Sequence, residues 1–209
     1  MTESGPPPTR NGFDIRICAS ALQKACRRGQ VEDAAFWAAE LDRSGFTAYA
    51  FRRLSIVASE DCSATAEPAL VVHAMHAAWK TERERDKSAN GVLFLMHAVL
   101  VVASAPKGRI ADSLVILNYW GDPKPPEIGD HVYDGHTPEG RAQGRGWTYF
   151  YEESGLLIDF ETGELTQDGA VVDPYRERAR QVLESGRKPR QARPIRPAEP
   201  EQMTLEGDQ

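Results

Sequence analysis

From Asp14 to Asp61 apolar residues return at every third or fourth position, and glycine breaks the run at Gly29 and again at Gly45. That pattern admits little besides short α-helices joined by tight turns. A 3.6-residue period puts Ile15, Cys18, Leu22 and Ala25 on one stripe, and a glycine just past a stripe supplies the left-handed residue that ends a helix. Asp14 is placed to cap the first helix. The second carries Ala34, Trp37, Ala38 and Leu41 and stops near Gly45, and Thr47 caps a third whose inward residues are Ala50, Phe51, Leu54, Val57 and Ala58. Turns this short make the three helices antiparallel neighbours.

The same reading extends downstream. A fourth helix is expected from Pro68, a residue suited to the first helical turn, through Val71, Met75, Ala78 and Trp79 into the charged run KTERERDK. Val92 to Ala105 is apolar nearly all round, which predicts a helix buried in the middle of a bundle and closed by Pro106. A sixth helix, from Arg109 to Tyr119, ends at Gly121 before the breaker DPKPPE. The expected fold is therefore all-α, a helical bundle over residues 13–122. Residues 123–186 are rich in Gly, aromatic and charged residues without a period, and are expected to form an irregular segment packed on the bundle. A small hairpin about ETGE or QDG and a last helix starting at Asp173 and Pro174 fall within it. The composition of residues 1–12 and 187–209 predicts a disordered leader and a disordered tail.

A chain of 209 residues with a formal charge of −6 is large enough for one domain with a core and a small appendage. It is too acidic for a generic nucleic-acid coat, which needs an excess of Lys and Arg at its contact surface. Cys18, Cys26 and Cys62 form no CxxC pair, which fits buried thiols in a reducing compartment better than disulfides or zinc. The polar, Pro-rich start MTESGPPPTRNG is unlike a signal peptide, and the longest apolar run, Val92 to Ala105, is too short to cross a bilayer. A cytoplasmic protein with no membrane contact is expected.

Four blocks in order, ALQKACRRGQVEDAAFWAAELDRSG, AYAFRRLSIVASED, AVLVVASAPKGR and HVYDGHTPEGRAQGRG, resemble the C-terminal region of the MgsA/RarA family of replication-associated recombination ATPases, which are clamp-loader-like AAA+ proteins. The matching positions are Arg27, Arg28 and Gly29, Trp37, Arg52 and Arg53, the ASED run from Ala58 to Asp61, then Ala105, Pro106 and Lys107, and finally His131, Asp134, His136 and the glycines of GRAQGRG. Ser63 stands where the family has glycine. The resemblance implies a clamp-loader collar domain that oligomerises, often as a tetramer, in DNA replication and repair. The sequence contains no GxxxxGK[ST] phosphate loop, so neither a cofactor nor ATP hydrolysis is expected of this chain. What is expected is a stand-alone, non-catalytic collar that binds itself, a separate AAA+ ATPase, or a replisome component.

Several constellations carry competing readings. Arg27, Arg28, Arg52, Arg53, Lys107 and Arg109 either face phosphate across an assembly surface or satisfy helix ends and pair with carboxylates. Glu60 and Asp61 end a helix, where the dipole opposes them, so a partner such as Arg52 or Arg53 is expected. Arg141 and Arg145 interleaved with Trp147, Tyr149, Phe150 and Tyr151 give the mixture that stacks bases and meets phosphates, the basis for an alternative DNA-binding reading. His131, Asp134 and His136, like His73 and His76, are zinc-type ligands whose spacing is incomplete, which favours hydrogen-bonded structural histidines, and the first group is the basis of a third reading, a metal-dependent hydrolase. Gln202, Met203 and Leu205 resemble the start of a bacterial sliding-clamp-binding peptide, with Glu206 in place of its aromatic anchor.

Overall fold

Asp14 does what the sequence asks of it: in the computed structural model, which describes residues 7–85 and 90–186, its carboxylate accepts the Arg16 N–H at 2.6 Å and opens α1 (Ile15–Arg27). Gly29, at φ +71°, closes that helix. α2 (Val31–Arg43), α3 (Thr47–Asp61), α4 (Glu67–Arg85) and α5 (Asn90–Ser104) follow. The chain divides into two compact units, the first running to Lys124 and the second starting at Pro125.

The first unit is an all-α bundle. α1 packs on α2 and α4 on α5, while α3 touches all four. Leu22, Leu41, Phe51, Leu54, Val57, Val72, Leu95, Val99 and Val102 fill its interior, joined by the small side chains of Cys18, Cys26 and Cys62. The predicted stripes of α1 and α3 are the ones buried. His76 lies stacked on Phe51, ring centroids 4.8 Å apart, and near Trp79, so it belongs to this core rather than to a metal site.

Four expectations need correction. Residues 7–12 of the predicted leader are docked: Thr9 is buried, and Asn11 donates its backbone and side-chain N–H groups to the Glu40 carboxylate at 2.9 and 2.7 Å. The Thr9 hydroxyl, followed by the Asn11 N–H, holds the Glu40 carboxyl below the usual range. Residues 1–6 lie outside the described residues. α3 starts one residue earlier than a Thr47 cap implies, with Phe46 at the cap and the Thr47 hydroxyl donating to Asp42 at 2.7 Å. α5 is not enclosed, since Val92, Leu93 and Leu100 are exposed. Finally, the sixth helix changes character part-way: α6 (Ile110–Val115) runs into a π-helical turn, Ile116–Trp120.

In the second unit a 3-10 turn at Asp130–Val132 precedes α7 (Pro138–Ala142) and α8 (Trp147–Tyr149), and a π turn, Phe150–Ser154, continues α8. The expected hairpin forms about ETGE, with β1 (Leu157–Ile158) antiparallel to β2 (Leu165–Thr166). α9 (Arg176–Glu184) is the last described helix and starts after Asp173 has accepted the Tyr175 N–H. No described helix is long and apolar enough to cross a membrane.

Candidate functional site

The carboxylates that end α3 are the hub of the first unit. Asp61, with a side chain 2% exposed, accepts Arg27 Nε at 2.9 Å and Arg109 Nε at 2.9 Å on one oxygen. Glu60 takes Arg27 Nη2 at 2.9 Å and Arg109 Nη2 at 3.4 Å. Two guanidinium groups thus offset two negative charges that the α3 dipole disfavours. The hydrogen bond to Asp61, then its charge, raises the Arg109 guanidinium further above its ordinary value. From Glu60 the network continues through the Gln23 amide, 3.1 Å, to Arg53 Nη2, 2.7 Å from the amide oxygen.

Backbone contacts complete the clamp. Gly108 N donates to Asp61 O at 2.8 Å, Ser63 N and Oγ both donate to Gly108 O, and Ser63 Oγ accepts the Ala111 N–H at 3.1 Å. Lys107 Nζ donates to the carbonyls of Val102, Ala103 and Ala105 at 2.6, 3.1 and 2.8 Å, capping the negative end of α5. Three blocks that are far apart in sequence, RRG after α1, ASED at the end of α3 and APKGR after α5, therefore meet at one point.

This arrangement fixes the start of α6 against α3 and leaves the rest of that helix bare. Neither α6 nor the π turn contains a buried residue. Ile110, Leu114, Val115, Ile116 and Leu117 are open to solvent, and Tyr119 and Trp120 are 81% and 79% exposed. A groove lined by Ile56, Ala111 and Val115 runs beside them. Scattered exposed leucines are ordinary, but a contiguous apolar run of this size marks a contact surface.

The predicted basic surface is correspondingly reduced. Arg27, Arg53, Lys107 and Arg109 are engaged internally, while Arg28 and Arg52 are exposed and make no ion pair among the described residues. The partner expected for Glu60 and Asp61, Arg52 or Arg53, is replaced by Arg27 and Arg109, with Arg53 reaching Glu60 only through Gln23.

The second unit holds a different arrangement. Asp134, buried, accepts the His136 N–H on one oxygen at 2.9 Å and pairs with His136 Nδ1 on the other at 2.8 Å. These contacts, the side-chain one first, hold the Asp134 carboxyl below its ordinary range. An ionised carboxylate only accepts, so Nδ1 carries a proton, and in the neutral imidazole Nε2 then presents a lone pair. The turn is possible because residue 140 is glycine: a Cβ there would overlap the Asp134 carbonyl. Thr137 caps α7 by accepting the Gly140 N–H at 3.0 Å.

His136, Trp147 and Phe150 meet edge-on, with centroids 5.7 to 5.9 Å apart, and together with Gly135, Arg145 and Gly146 they line a cavity of about 240 Å³. Both arginines of the DNA-binding alternative make contacts within the unit. Arg145 donates to both Asp130 oxygens at 2.7 and 2.8 Å and to the Tyr133 carbonyl at 2.7 Å, and it lies over the Tyr149 ring at 4.3 Å. Arg141 donates to the His136 and Gly135 carbonyls. Asp134 and His136 come together but His131 does not complete a set, for the described residues contain no group of three or more His, Cys, Asp or Glu placed to hold a metal. Gln202, Met203 and Leu205 lie outside the described residues.

The chain matches no protein-family model and no curated protein.

Proposed function

We propose that this chain is a non-catalytic accessory protein of replication or recombination that works by assembling with copies of itself, in the manner its resemblance to the MgsA/RarA collar implies. The observation that supports the reading is the apolar face of α6 and its π turn. Its seven large apolar residues, Ile110, Leu114 to Leu117, Tyr119 and Trp120, are between 43% and 81% exposed. At about 200 Å² per side chain they leave roughly 850 Å² open around the helix, and since Leu114 to Leu117 are consecutive and point to different sides, any one partner covers part of it. Two aromatic rings at its end are the residue types that dominate binding energy when buried. The clamp on Asp61 gives this face a fixed orientation, which lowers the entropy lost on association. A separate AAA+ ATPase or a sliding clamp would then be recruited by the assembled form.

Light scattering of the purified chain over a range of concentrations tests this. A closed oligomer, with a tetramer as the form implied by the resemblance, is expected for the natural sequence. The Leu117→Glu/Trp120→Glu variant is expected to weaken association about 100-fold, ~2.7 kcal/mol, since it places two charges in the contact. A natural chain that stays monomeric throughout, or a variant that assembles equally well, overturns the proposal.

A further inference from the structure

The last described helix of the second unit, α9, packs on the segment that brings Trp147 and Phe150 to the aromatic cavity. α9 runs alongside α8 and the π turn after it: Arg176 lies over the Tyr151 ring at 5.6 Å, Arg180 Nη2 donates to Glu152 at 3.2 Å, and Thr148 Oγ1 donates to Glu184 at 3.2 Å. The helix therefore carries the chain from Tyr151 toward Thr148, the neighbour of Trp147. Gly186, at φ +70°, ends it there. The next four residues, Arg187, Lys188, Pro189 and Arg190, lie outside the described part and span up to about 13 Å when extended, to which an arginine side chain adds further reach.

Charge favours a contact between the two. Residues 125–186 hold thirteen Asp and Glu against five Arg and no Lys, a formal charge of −8. Residues 187–196, RKPRQARPIR, hold four Arg and one Lys with no acid, a formal charge of +5. The acidic unit repels phosphate and attracts cations. Among the described residues that line the cavity, the one guanidinium, that of Arg145, has its charge offset by Asp130 at 2.7 Å.

The chemistry of the cavity walls selects the cation. Trp147 offers an indole, the best cation–π acceptor, with Phe150 beside it. In the neutral imidazole, His136 Nε2 accepts and does not donate, because the one ring proton is on Nδ1 against Asp134. A planar cation with in-plane N–H donors stacks on the one and donates to the other, which describes a guanidinium. An uncharged ring would fit the 240 Å³ but would leave Nε2 without a donor and make no use of the negative field.

We propose that the cavity bounded by His136, Trp147 and Phe150 is an arginine-binding site whose occupant is the chain's own basic segment 187–196, entering through Arg187 or Arg190. The contact fastens the start of the C-terminal region to the second unit. It is independent of whether the first unit assembles.

The test uses the full chain labelled with ¹⁵N, with the Trp147 indole signal assigned by loss in Trp147→Phe. In the Arg187→Gln/Lys188→Gln/Arg190→Gln variant, which alters no described residue and adds no charge, the Trp147 indole signal is expected to shift while those of Trp37, Trp79 and Trp120 stay in place. Adding a synthetic peptide of sequence RKPRQARPIR to that variant is expected to return the Trp147 signal toward its natural position in a saturable manner. An unchanged Trp147 signal in the variant overturns the proposal. So does a signal that the variant leaves in place and the added peptide then moves, because the cavity would be open to an outside cation and empty of the chain's own.

Discussion

Asp61→Asn removes a charge and little else, so it measures what the clamp contributes. The asparagine matches aspartate in size, and its amide oxygen can take the place of the oxygen that accepts both Nε groups at 2.9 Å, but the negative charge is lost and the NH₂ then occupies the other position, 3.0 Å from Arg27 Nε. Removing one member of a buried ion cluster costs about 3–5 kcal/mol, because the remaining charges stay desolvated. Here the Arg27 and Arg109 side chains are 32% and 47% exposed and recover part of their hydration, while Asp61 is 2% exposed. The loss should therefore fall at the lower end, about 3 kcal/mol, equivalent to a melting temperature lower by about 10 °C for a unit of this size. Circular dichroism of the full chain during heating gives that value directly. Glu60→Gln, at a position more open to water, should lower it less, and both effects should persist in 0.5 M salt, which screens buried pairs poorly. A decrease of under about 3 °C for Asp61→Asn would refute the view that the cluster fixes the bundle.

Two further outcomes follow from the core and from the second unit. His76 lies against Phe51 with a buried Nε2 that has no hydrogen-bond partner, and burial, then the charge of Lys80, lowers its pKa. The unfolded chain therefore binds the proton more readily, so stability should fall as pH drops from about 7 toward 5, and His76→Phe should flatten that slope in urea titrations across this range. Gly140→Ala should disrupt the Asp134–His136 turn, since the added Cβ overlaps the Asp134 carbonyl. Loss of the native Trp147 indole signal, with those of Trp37 and Trp79 retained, would be the sign of it; a Trp147 signal left unchanged would mean that the backbone accommodates the methyl.

The helices of the first unit were legible because their information is local. Asp14, Gly29 and the apolar stripes act within a few residues of themselves, and α1 to α3 form where the periodicity puts them. The burial of α5 was misread because an all-apolar helix looks alike whether neighbours cover every side or only some, and Leu93 and Leu100 lie on an uncovered side. The clamp was misread for a related reason. Spacing along one helix proposes Arg52 and Arg53 as partners of Glu60 and Asp61, whereas the real partners, Arg27 and Arg109, come from 33 to 49 residues away. A carboxylate pair at a helix C-terminus did signal a hidden cation, but one sequence carries no means of saying which. In the second unit, Asp134 and His136 are two residues apart, and their spacing, incomplete for a metal, favours the hydrogen-bonded histidine that the fold builds.

The three core cysteines make the bundle report on its own opening. Burial first pushes all three thiols up, that of Cys26 to about 12, so at neutral pH they are protonated and poor nucleophiles while the helices stay closed. Each becomes an ordinary reactive thiol only when the helices part. The rate at which an alkylating reagent modifies the native chain, followed by mass, therefore counts opening events, with Cys18 on α1 and Cys62 at the end of α3 reporting on different parts of the bundle.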